Sequence, residues 1–191
     1  MIDDSLRSVL KKRTTIRKFV KSEFTVEQVK ELIWAAYGHT HTVRDFKMRT
    51  APSPGAKYAV DIYVTLQDAS GFDDGVYRFD TGIDNLVLMK KGRFHDSICS
   101  AALDQKFFQS SNVNIFMVYN PAKIVPEYGA NSAKYCAMEC GHIGQNILLM
   151  ATSLGLGAVP VGAFDSSAIN DLLGLSDGQE TVYIISVGTV A

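Results

Sequence analysis

Two arginines near the amino terminus, Arg13 and Arg17, stand four residues apart, with the hydroxyl side chains of Thr14 and Thr15 between them. Such a cluster can surround a phosphate monoester, because each guanidinium group donates charge-assisted hydrogen bonds to phosphate oxygens. The same spacing is also common in solvated basic stretches that precede a helix. The spacing alone therefore favours a solvated stretch, with a phosphate site as the alternative.

Two other segments can bring a rigid backbone close to a flat ligand. Pro52–Gly55 contains two prolines, a glycine and a serine hydroxyl, which together permit a close approach to a planar ring. The backbone amides of Val161–Ala163 can face the edge of such a ring. A plain turn explains the first segment and a helix-to-strand connection explains the second, so neither identifies a site by itself.

Several other kinds of chemistry are not supported. Cys136, Cys140 and His142 are close in sequence, but on a helix His142 lies about 240° around the axis from Cys136, so the three cannot share one zinc ion. We therefore expect buried thiols and no metal site. The motifs of serine hydrolases, P-loop nucleotide-binding proteins and Rossmann dinucleotide-binding domains are absent from the sequence.

Length and composition are those of an ordinary globular protein. The chain has 191 residues, 19 Lys+Arg, 20 Asp+Glu and 47% hydrophobic residues, which predicts a single domain spanning residues 1–191. Because there is no basic block, we expect a small-molecule ligand, and neither nucleic acid nor a membrane as a partner. An odd number of cysteines without a signal peptide favours reduced thiols in a cytoplasmic protein.

Apolar periodicity and capping residues predict four helices. Thr25 and Gln28 can form a capping box that begins the first one, and the apolar positions between residues 132 and 154 cover more than one face, as in a buried central helix. The first predicted helix begins after Thr25 and ends at Gly38. The second spans 94–108, the third spans 132–154, and the fourth runs from Asp165 or Ser166 to Gly174.

The predicted strands are interspersed with these helices, which indicates the α+β class. Residues 39–57 are expected to form a loop. Alternation of apolar and polar residues around Ile62–Leu66 predicts a half-buried strand, and the continuous apolar run 113–119 predicts a strand that is buried on both faces. The remaining predictions are a hairpin over 76–79 and 86–89, a short strand or turn over 159–164, and a last strand over 182–187.

Several blocks of the sequence, in order, resemble the nitroreductase family of flavin enzymes. Arg13–Phe19 resembles its R-R-S-x-R opening, with Thr14 where Arg is usual and Thr15 in place of Ser. Arg49–Ala56, R-T-A-P-S-P-G-A, is closest to the subgroup that includes the SagB-type dehydrogenases. The other similar blocks are 32–38, 102–105, 139–146, 154–157 and 159–164. The resemblance covers nearly the whole chain.

The resemblance implies an α+β, nitroreductase-like fold with a central mixed sheet, flanking helices and a long buried central helix. It also implies a homodimer with FMN at the subunit interface. The basic amino-terminal block would hold the FMN phosphate and ribityl chain, and the Arg49–Ala56 block would approach the isoalloxazine from the partner subunit. Gln105 would bind the pyrimidine edge, and the backbone near Gly162 would face flavin N5. The implied FMN-binding residues are Arg13, Thr14, Thr15, Arg17, Pro52, Ser53, Pro54, Gly55, Gln105, Val161, Gly162 and Ala163.

The implied activity is transfer of a hydride from NADH or NADPH through flavin N5 to a small nitroaromatic, quinone or similar acceptor, in a ping-pong mechanism. No catalytic acid or base from the protein is expected. Two alternatives stay open. The chain can be a SagB-type azoline dehydrogenase acting on a modified peptide, with Lys134 and Tyr135 as its proton-abstracting pair, or a flavin-binding protein without turnover.

Some positions limit the resemblance. Gly162 stands where many nitroreductases have Glu, and the sequence ends at Ala191, whereas many relatives continue into an arm that brings basic residues to the phosphate. We therefore expect Arg13 and Arg17, with help from Lys106, to bind the phosphate. Three polar residues of the central helix also match the family, but they are at least as well explained as satisfied buried groups; they are His142, Gln145 and Asn146.

Overall fold

The computed structural model describes residues 4–191, and within that range the chain forms six α-helices and eight β-strands. The helices are α1 (Asp4–Lys12), α2 (Val26–Tyr37), α3 (His95–Ala101), α4 (Val125–Tyr128), α5 (Ser132–Ser153) and α6 (Ser166–Leu173). The strands are β1 (His39–Val43), β2 (Phe46–Arg49), β3 (Val60–Leu66), β4 (Gly75–Asp80), β5 (Asn85–Lys91), β6 (Val113–Tyr119), β7 (Gly157–Val161) and β8 (Glu180–Gly188).

Six strands form one sheet in the order β5-β4-β3-β6-β8-β7, and β1 pairs with β2 in a separate hairpin. One apolar cluster packs between the sheet and helices α2 and α5, and a second packs between the opposite face and helices α3 and α6. These observations confirm the α+β class and the flanking helices. The neighbouring strands of the six-stranded sheet are antiparallel rather than mixed, because each connection between neighbours returns the chain in the opposite direction.

The amino-terminal cap of α2 is the predicted capping box. The Thr25 hydroxyl accepts from the Gln28 amide at 3.1 Å, and the Gln28 side chain accepts from the Thr25 amide at 2.9 Å. Gly38 follows the last turn and donates its amide to Trp34 O. A Cβ at Gly38 would lie only 2.3 Å from the Trp34 side chain, so glycine is required where the chain leaves the helix.

The central helix predicted over 132–154 is α5, which runs for 22 residues from Ser132 to Ser153. Cys136 and Cys140 lie on its buried side as free thiols, which confirms their predicted packing role. Gly144 lets the helix pass close to the sheet, since a Cβ there would meet the Tyr183 ring at 3.0 Å. No helix within residues 4–191 is long and apolar enough to cross a membrane.

Three predictions about local structure were wrong. Residues 39–49 form the β1–β2 hairpin instead of a loop; its exposed Thr and His residues give no apolar face to detect. The helix predicted over 94–108 ends at Ala101, because Leu103 and Asp104 adopt left-handed backbone angles before a 3₁₀ turn at 106–110. Strand β3 is buried along both faces rather than half-buried, because helices cover the sheet on each side.

The other predicted strands are confirmed. β4 and β5 form the expected hairpin, and β6 occupies the middle of the sheet with both faces buried. β7 ends at Val161, so the second half of the 159–164 segment is a turn, and Asp165 caps α6 by accepting from the Ala168 amide.

Candidate functional site

The basic segment that follows α1 lies along the β7 end of the sheet. The Ile16 amide donates to Ala158 O at 3.0 Å, and the Val20 amide donates to Thr189 O at 2.9 Å. Gly157 and Gly188 make room for this segment, since a Cβ at Gly188 would lie 2.6 Å from the Phe19 ring. Gly157, which ends the family-like block 154–157, and Gly188 are therefore both explained by close packing against residues 16–20.

The two candidate phosphate ligands are carried by this segment. Arg17 and Thr14 are exposed, whereas Arg13 and Thr15 are half-buried. Neither guanidinium group forms an ion pair with a carboxylate of residues 5–191. Their positive charge is thus not neutralised within the described part of the chain, as a phosphate site requires.

Gln105 and the turn after β7 are brought together, although they are far apart in sequence. Gln105 Nε2 donates to Ala102 O at 2.9 Å and to Ala163 O at 3.1 Å. Both amide hydrogens are then used, and Oε1 has no partner within residues 5–191, so it remains available as an acceptor. Leu103 and Asp104, with φ of +55° and +58°, are strained residues that aim Gln105 at this turn.

The turn itself is open to a ligand. Gly162 and Ala163 are exposed, and a Cβ built on Gly162 would meet no atom of the described residues within 4 Å. A flat ring can therefore approach the backbone of Val161–Ala163 without displacing a side chain.

The Pro52–Gly55 loop lies elsewhere, against α4 and the amino-terminal half of α5. The Ser53 hydroxyl donates to Glu139 Oε2 at 2.7 Å and accepts from the Tyr58 amide at 2.8 Å. Gly55 has φ of +54°, and a Cβ there would lie 2.5 Å from the Tyr128 hydroxyl. The hydroxyl of Ser53 thus holds the loop to the central helix, which leaves the exposed Pro52 and Gly55 as its accessible surface.

Glu139 is the acceptor at the centre of this arrangement, and no role for it was predicted from the sequence. It is 1% exposed, and its carboxylate accepts from the Tyr37 and Ser53 hydroxyls. Burial raises the pKa of Glu139 above its ordinary value, and the two hydroxyl donors oppose that shift. A carboxylate on an otherwise apolar helix face is the signal that could have revealed it.

Arg49 was also missed, although it belongs to a family-like block. Its guanidinium group donates to Tyr37 O at 2.8 Å and to Thr81 O at 3.1 Å, and it lies 5.3 Å from the centre of the Tyr37 ring. Arg49 also forms an ion pair with Asp84 at 3.5 Å. Arg49 therefore fastens the base of the β1–β2 hairpin to the end of α2.

The remaining polar candidates on α5 were interpreted either as ligand-binding residues or as satisfied buried groups, and they differ in exposure. Asn146 Nδ2 donates to Thr50 O at 3.1 Å, as expected for a satisfied polar group, whereas His142 and Gln145 are exposed. Lys134 is exposed, and the Tyr135 ring stands edge-on to Tyr128 with centroids 5.2 Å apart. No group of three or more residues that could hold a metal occurs among the described His, Cys, Asp and Glu residues.

Comparison with known proteins identifies the family of the chain. The family model described as "Nitroreductase family" matches residues 10–189. The chain belongs to the nitroreductase family. A protein of Methanocaldococcus jannaschii that is named as a nitroreductase is 36% identical over 172 residues, which cover 90% of this chain and 85% of the relative.

Solved structures show the same fold. A crystal structure of a protein from Ralstonia eutropha, named as a nitroreductase, has a TM-score of 0.84 at 26% identity and covers 97% of this chain and 83% of its own. The NADPH:FMN oxidoreductase of Vibrio harveyi, solved with NAD⁺, has a TM-score of 0.69 at 19% identity, with 97% and 68% covered. The nitroreductase fold is thus established for this chain, and family membership supports a flavin oxidoreductase.

Proposed function

We propose that this nitroreductase-family chain is a single-domain, FMN-dependent oxidoreductase that uses NADH or NADPH to reduce a small nitroaromatic, quinone or similar acceptor. The observation that carries the proposal is the junction of Gln105 with Ala163. The hydrogen bond between them holds the Gln105 side chain, whose Oε1 is a free acceptor, beside the exposed turn. No side chain of the described residues covers Gly162 in this turn.

The residues present fit a flavin. Gln105 Oε1 can accept a hydrogen bond from the imide N–H of a pyrimidine-like ring edge, and the Val161–Ala163 backbone can lie along the ring. Arg13 and Arg17, with the hydroxyls of Thr14 and Thr15, can hold the phosphate through charge-assisted hydrogen bonds. FMN, when bound, supplies the hydride chemistry between the nicotinamide and the acceptor.

The protein's own contribution to the reaction is positioning and electrostatics. Gln105 is held by two backbone carbonyls before any ligand arrives, so its orientation costs little on binding. Backbone N–H groups of the turn after β7 would stabilise negative charge on a ring that is bound beside this turn. No side chain of this site is assigned a proton-transfer role.

We further propose a homodimer in which the Pro52–Gly55 loop contacts the flavin bound by the partner subunit. The loop rests on α4 and α5, whereas Gln105 meets the turn after the edge strand β7, so the two halves of the implied site are separate in one chain. Large apolar side chains on three helices are exposed and would be covered in a dimer; they are Leu6, Leu10, Trp34 and Met138.

The first test is the absorption spectrum of the purified protein, with identification of any chromophore released on denaturation. We expect a flavin spectrum, released FMN, and oxidation of NADH or NADPH when a quinone such as menadione is added. A colourless protein that does not bind added FMN would refute the cofactor assignment. Flavin reduction too slow to support turnover would refute the enzymatic function and leave a flavin-binding protein.

A matched pair of variants tests the phosphate site. Arg17→Ala removes one proposed ligand, and we expect FMN affinity to fall about tenfold or more, because a hydrogen bond between charged groups is lost. Lys18→Ala removes an exposed cation that is not assigned to the site, and we expect little change. Equal losses in the two variants would mean that only general positive charge matters.

The proposed homodimer is tested by light scattering, which should give the mass of a dimer. A monomer with full FMN affinity would refute the shared site.

A further inference from the structure

We propose that the β1–β2 hairpin of each copy packs on the other copy in the proposed homodimer and forms one wall of the acceptor pocket, beside the flavin that the other copy binds. Phe46, near the tip of the hairpin, would contact the acceptor and determine which acceptors fit. The inference rests on the proposed function, because it needs a flavin bound next to the Pro52–Gly55 loop of a second chain.

The hairpin carries three apolar side chains on one of its faces. Val43 pairs with Phe46, and His41 pairs with Met48; cross-strand pairs that are two positions apart share a face. Val43 is 48% exposed and Phe46 is 59% exposed. Val43, Phe46 and Met48 therefore form an apolar strip whose outer part has no cover in one chain.

The opposite face of the hairpin is polar. Thr42 pairs with Lys47 between the two pairs of the strip, so both side chains point away from it, and both are exposed. An antiparallel ribbon with one polar and one apolar face is suited to contact water on one side and a protein surface on the other.

The hairpin is held to its own chain only at its base. Trp34 Nε1 donates to His39 O at 3.3 Å, and Arg49 makes the contacts described above. Within residues 5–191, no hydrogen bond or ion pair joins residues 41–47 to a residue outside the hairpin. An isolated two-stranded hairpin is only marginally stable in water, so we expect a further surface to cover the strip.

The strip begins beside the loop that is proposed to contact the flavin of the partner subunit. The Tyr58 hydroxyl lies 3.9 Å from Met48 Sδ, and the Tyr58 amide donates to the Ser53 hydroxyl of that loop. Arg49 ends β2, and at a rise of about 3.3 Å per residue Phe46 lies about 10 Å along the strand from it. The strip is therefore long enough to flank a ring that is bound next to the loop.

The base of the hairpin also adjoins the surface that is proposed to be covered in the dimer. Thr40 lines a groove of about 520 Å³ together with Leu6 and Trp34, which are 55% and 45% exposed. The strip thus continues from this exposed apolar surface. In a two-fold dimer both copies use the same surface, so the occupant that the position of the hairpin favours is a second copy of this chain.

The chemistry of the strip indicates the kind of acceptor. Val43, Phe46 and Met48 offer no charged group, and the ring of Phe46 can pack against another aromatic ring. Pockets for small molecules are lined mainly by such side chains. We therefore expect the hairpin to favour apolar acceptors with more than one ring.

The first test measures whether the strip is covered in the FMN-loaded protein. The native cysteines Cys99, Cys136 and Cys140 are buried, so a thiol introduced into the hairpin is measured against a low background. With the thiol reagent DTNB, we expect Val43→Cys to react about tenfold more slowly than Thr42→Cys, because only the first thiol would be covered by the second copy. Dilution to the monomer, followed by light scattering, should remove this difference.

The second test measures acceptor preference with two quinones, menadione with its two fused rings and 1,4-benzoquinone with one. In Phe46→Ala we expect the ratio of kcat/KM for menadione to that for benzoquinone to fall about tenfold, because an apolar wall is lost. Phe46→Leu keeps an apolar side chain and should give an intermediate ratio. Lys47→Ala, on the polar face, should keep the ratio of the wild type. The flavin spectrum of each variant shows that FMN is still bound.

The outcomes separate this proposal from the proposed function. A wild-type protein without bound FMN or without turnover refutes the proposed function, and the hairpin proposal with it. When FMN and turnover are present, a Val43→Cys thiol as reactive as Thr42→Cys overturns the hairpin proposal alone, because the strip is then uncovered. Protection that persists in the monomer excludes the second copy as the cover. An unchanged ratio in Phe46→Ala means that the hairpin packs away from the acceptor, which also overturns the proposal.

Discussion

Replacing Glu139 with alanine should loosen the loop of residues 50–58 and destabilise the whole chain. The carboxylate accepts two hydrogen bonds from hydroxyl groups, each worth about 1.5–3 kcal/mol because the acceptor is charged. Relief of the buried charge offsets part of this loss, and the Tyr37 and Ser53 hydroxyls are left without an acceptor. We expect a net loss of about 3 kcal/mol in the free energy of unfolding.

Glu139→Gln is the informative companion variant. The amide keeps one oxygen as an acceptor, and its NH₂ group can donate to a hydroxyl that rotates, so we expect a cost of only about 1 kcal/mol. Glu31→Ala serves as the control, since Glu31 is exposed on α2 and its removal should change stability by less than about 0.5 kcal/mol.

The assay is urea unfolding of the three variants and the wild type at one protein concentration, because dimerisation would make stability concentration-dependent. FMN affinity is measured in parallel and should fall in Glu139→Ala. Ala56 and Tyr58 have positive φ, and the hydrogen bond from Ser53 to Glu139 is needed to keep the loop in this strained conformation. A Glu139→Ala protein as stable as Glu31→Ala would refute the role of this carboxylate.

The pH dependence has a definite sign. Burial raises the pKa of Glu139, so the folded state favours the protonated carboxyl group. The part of its stabilisation that depends on this proton is fully present below the pKa of the unfolded glutamate and is lost as pH rises through the folded value. The stability difference between wild type and Glu139→Gln should therefore be larger at pH 4 than at pH 8. A difference that grows with pH would contradict this assignment.

Three further outcomes are expected. The pKa of His95 is lowered to about 4, so between pH 6.5 and pH 4 only the unfolded chain takes up a proton at this residue, and the wild type loses stability. In His95→Phe we expect this acid-induced loss to be smaller by up to about 3 kcal/mol. Parallel pH–stability curves for the two proteins would contradict this. Gly188→Ala should cost about 1–3 kcal/mol in thermal or urea unfolding, because a Cβ there would lie 2.6 Å from the Phe19 ring, and an unchanged protein would mean that residues 16–20 can move away freely. Lys134→Ala should leave quinone reduction intact, since Lys134 is exposed on α5; under the azoline dehydrogenase alternative, the same substitution would abolish oxidation of an azoline-containing peptide.

The sequence predicted best the elements whose signals are local. The capping box at Thr25, the apolar periodicity of α5 and the continuous apolar run of β6 each determine their own structure. The break at Leu103 and Asp104 could not be predicted, because neither residue is a glycine or proline and their positive φ values are imposed by packing. The β1–β2 hairpin was missed because β1 consists mainly of Thr and His without an alternating apolar face, and most of the hairpin is exposed.

The candidate site was predictable as residues but not as geometry. Resemblance to the nitroreductase family named Gln105 and the turn at Gly162, yet only the fold shows that Gln105 binds Ala163 O across 58 residues of sequence. Ser53 is a second example, because only the fold shows that its hydroxyl, which the resemblance assigns to the flavin site, donates to Glu139. The hydrogen-bond partner of a polar side chain is determined by tertiary packing, and it cannot be deduced from the spacing of residues in the sequence.

The pairing of Val20 with Thr189 has a consequence for the order of events during protein synthesis. Residues 13–20 leave the ribosome early, but the backbone groups that align them, at Ala158 and Thr189, are made late. A nascent chain that stops before residue 189 therefore lacks the Val20–Thr189 hydrogen bond that holds residues 13–20 beside β7. Arg13 and Arg17, which are proposed to hold the FMN phosphate, lie on this segment, so we expect a chain that is truncated before residue 189 to bind FMN less tightly.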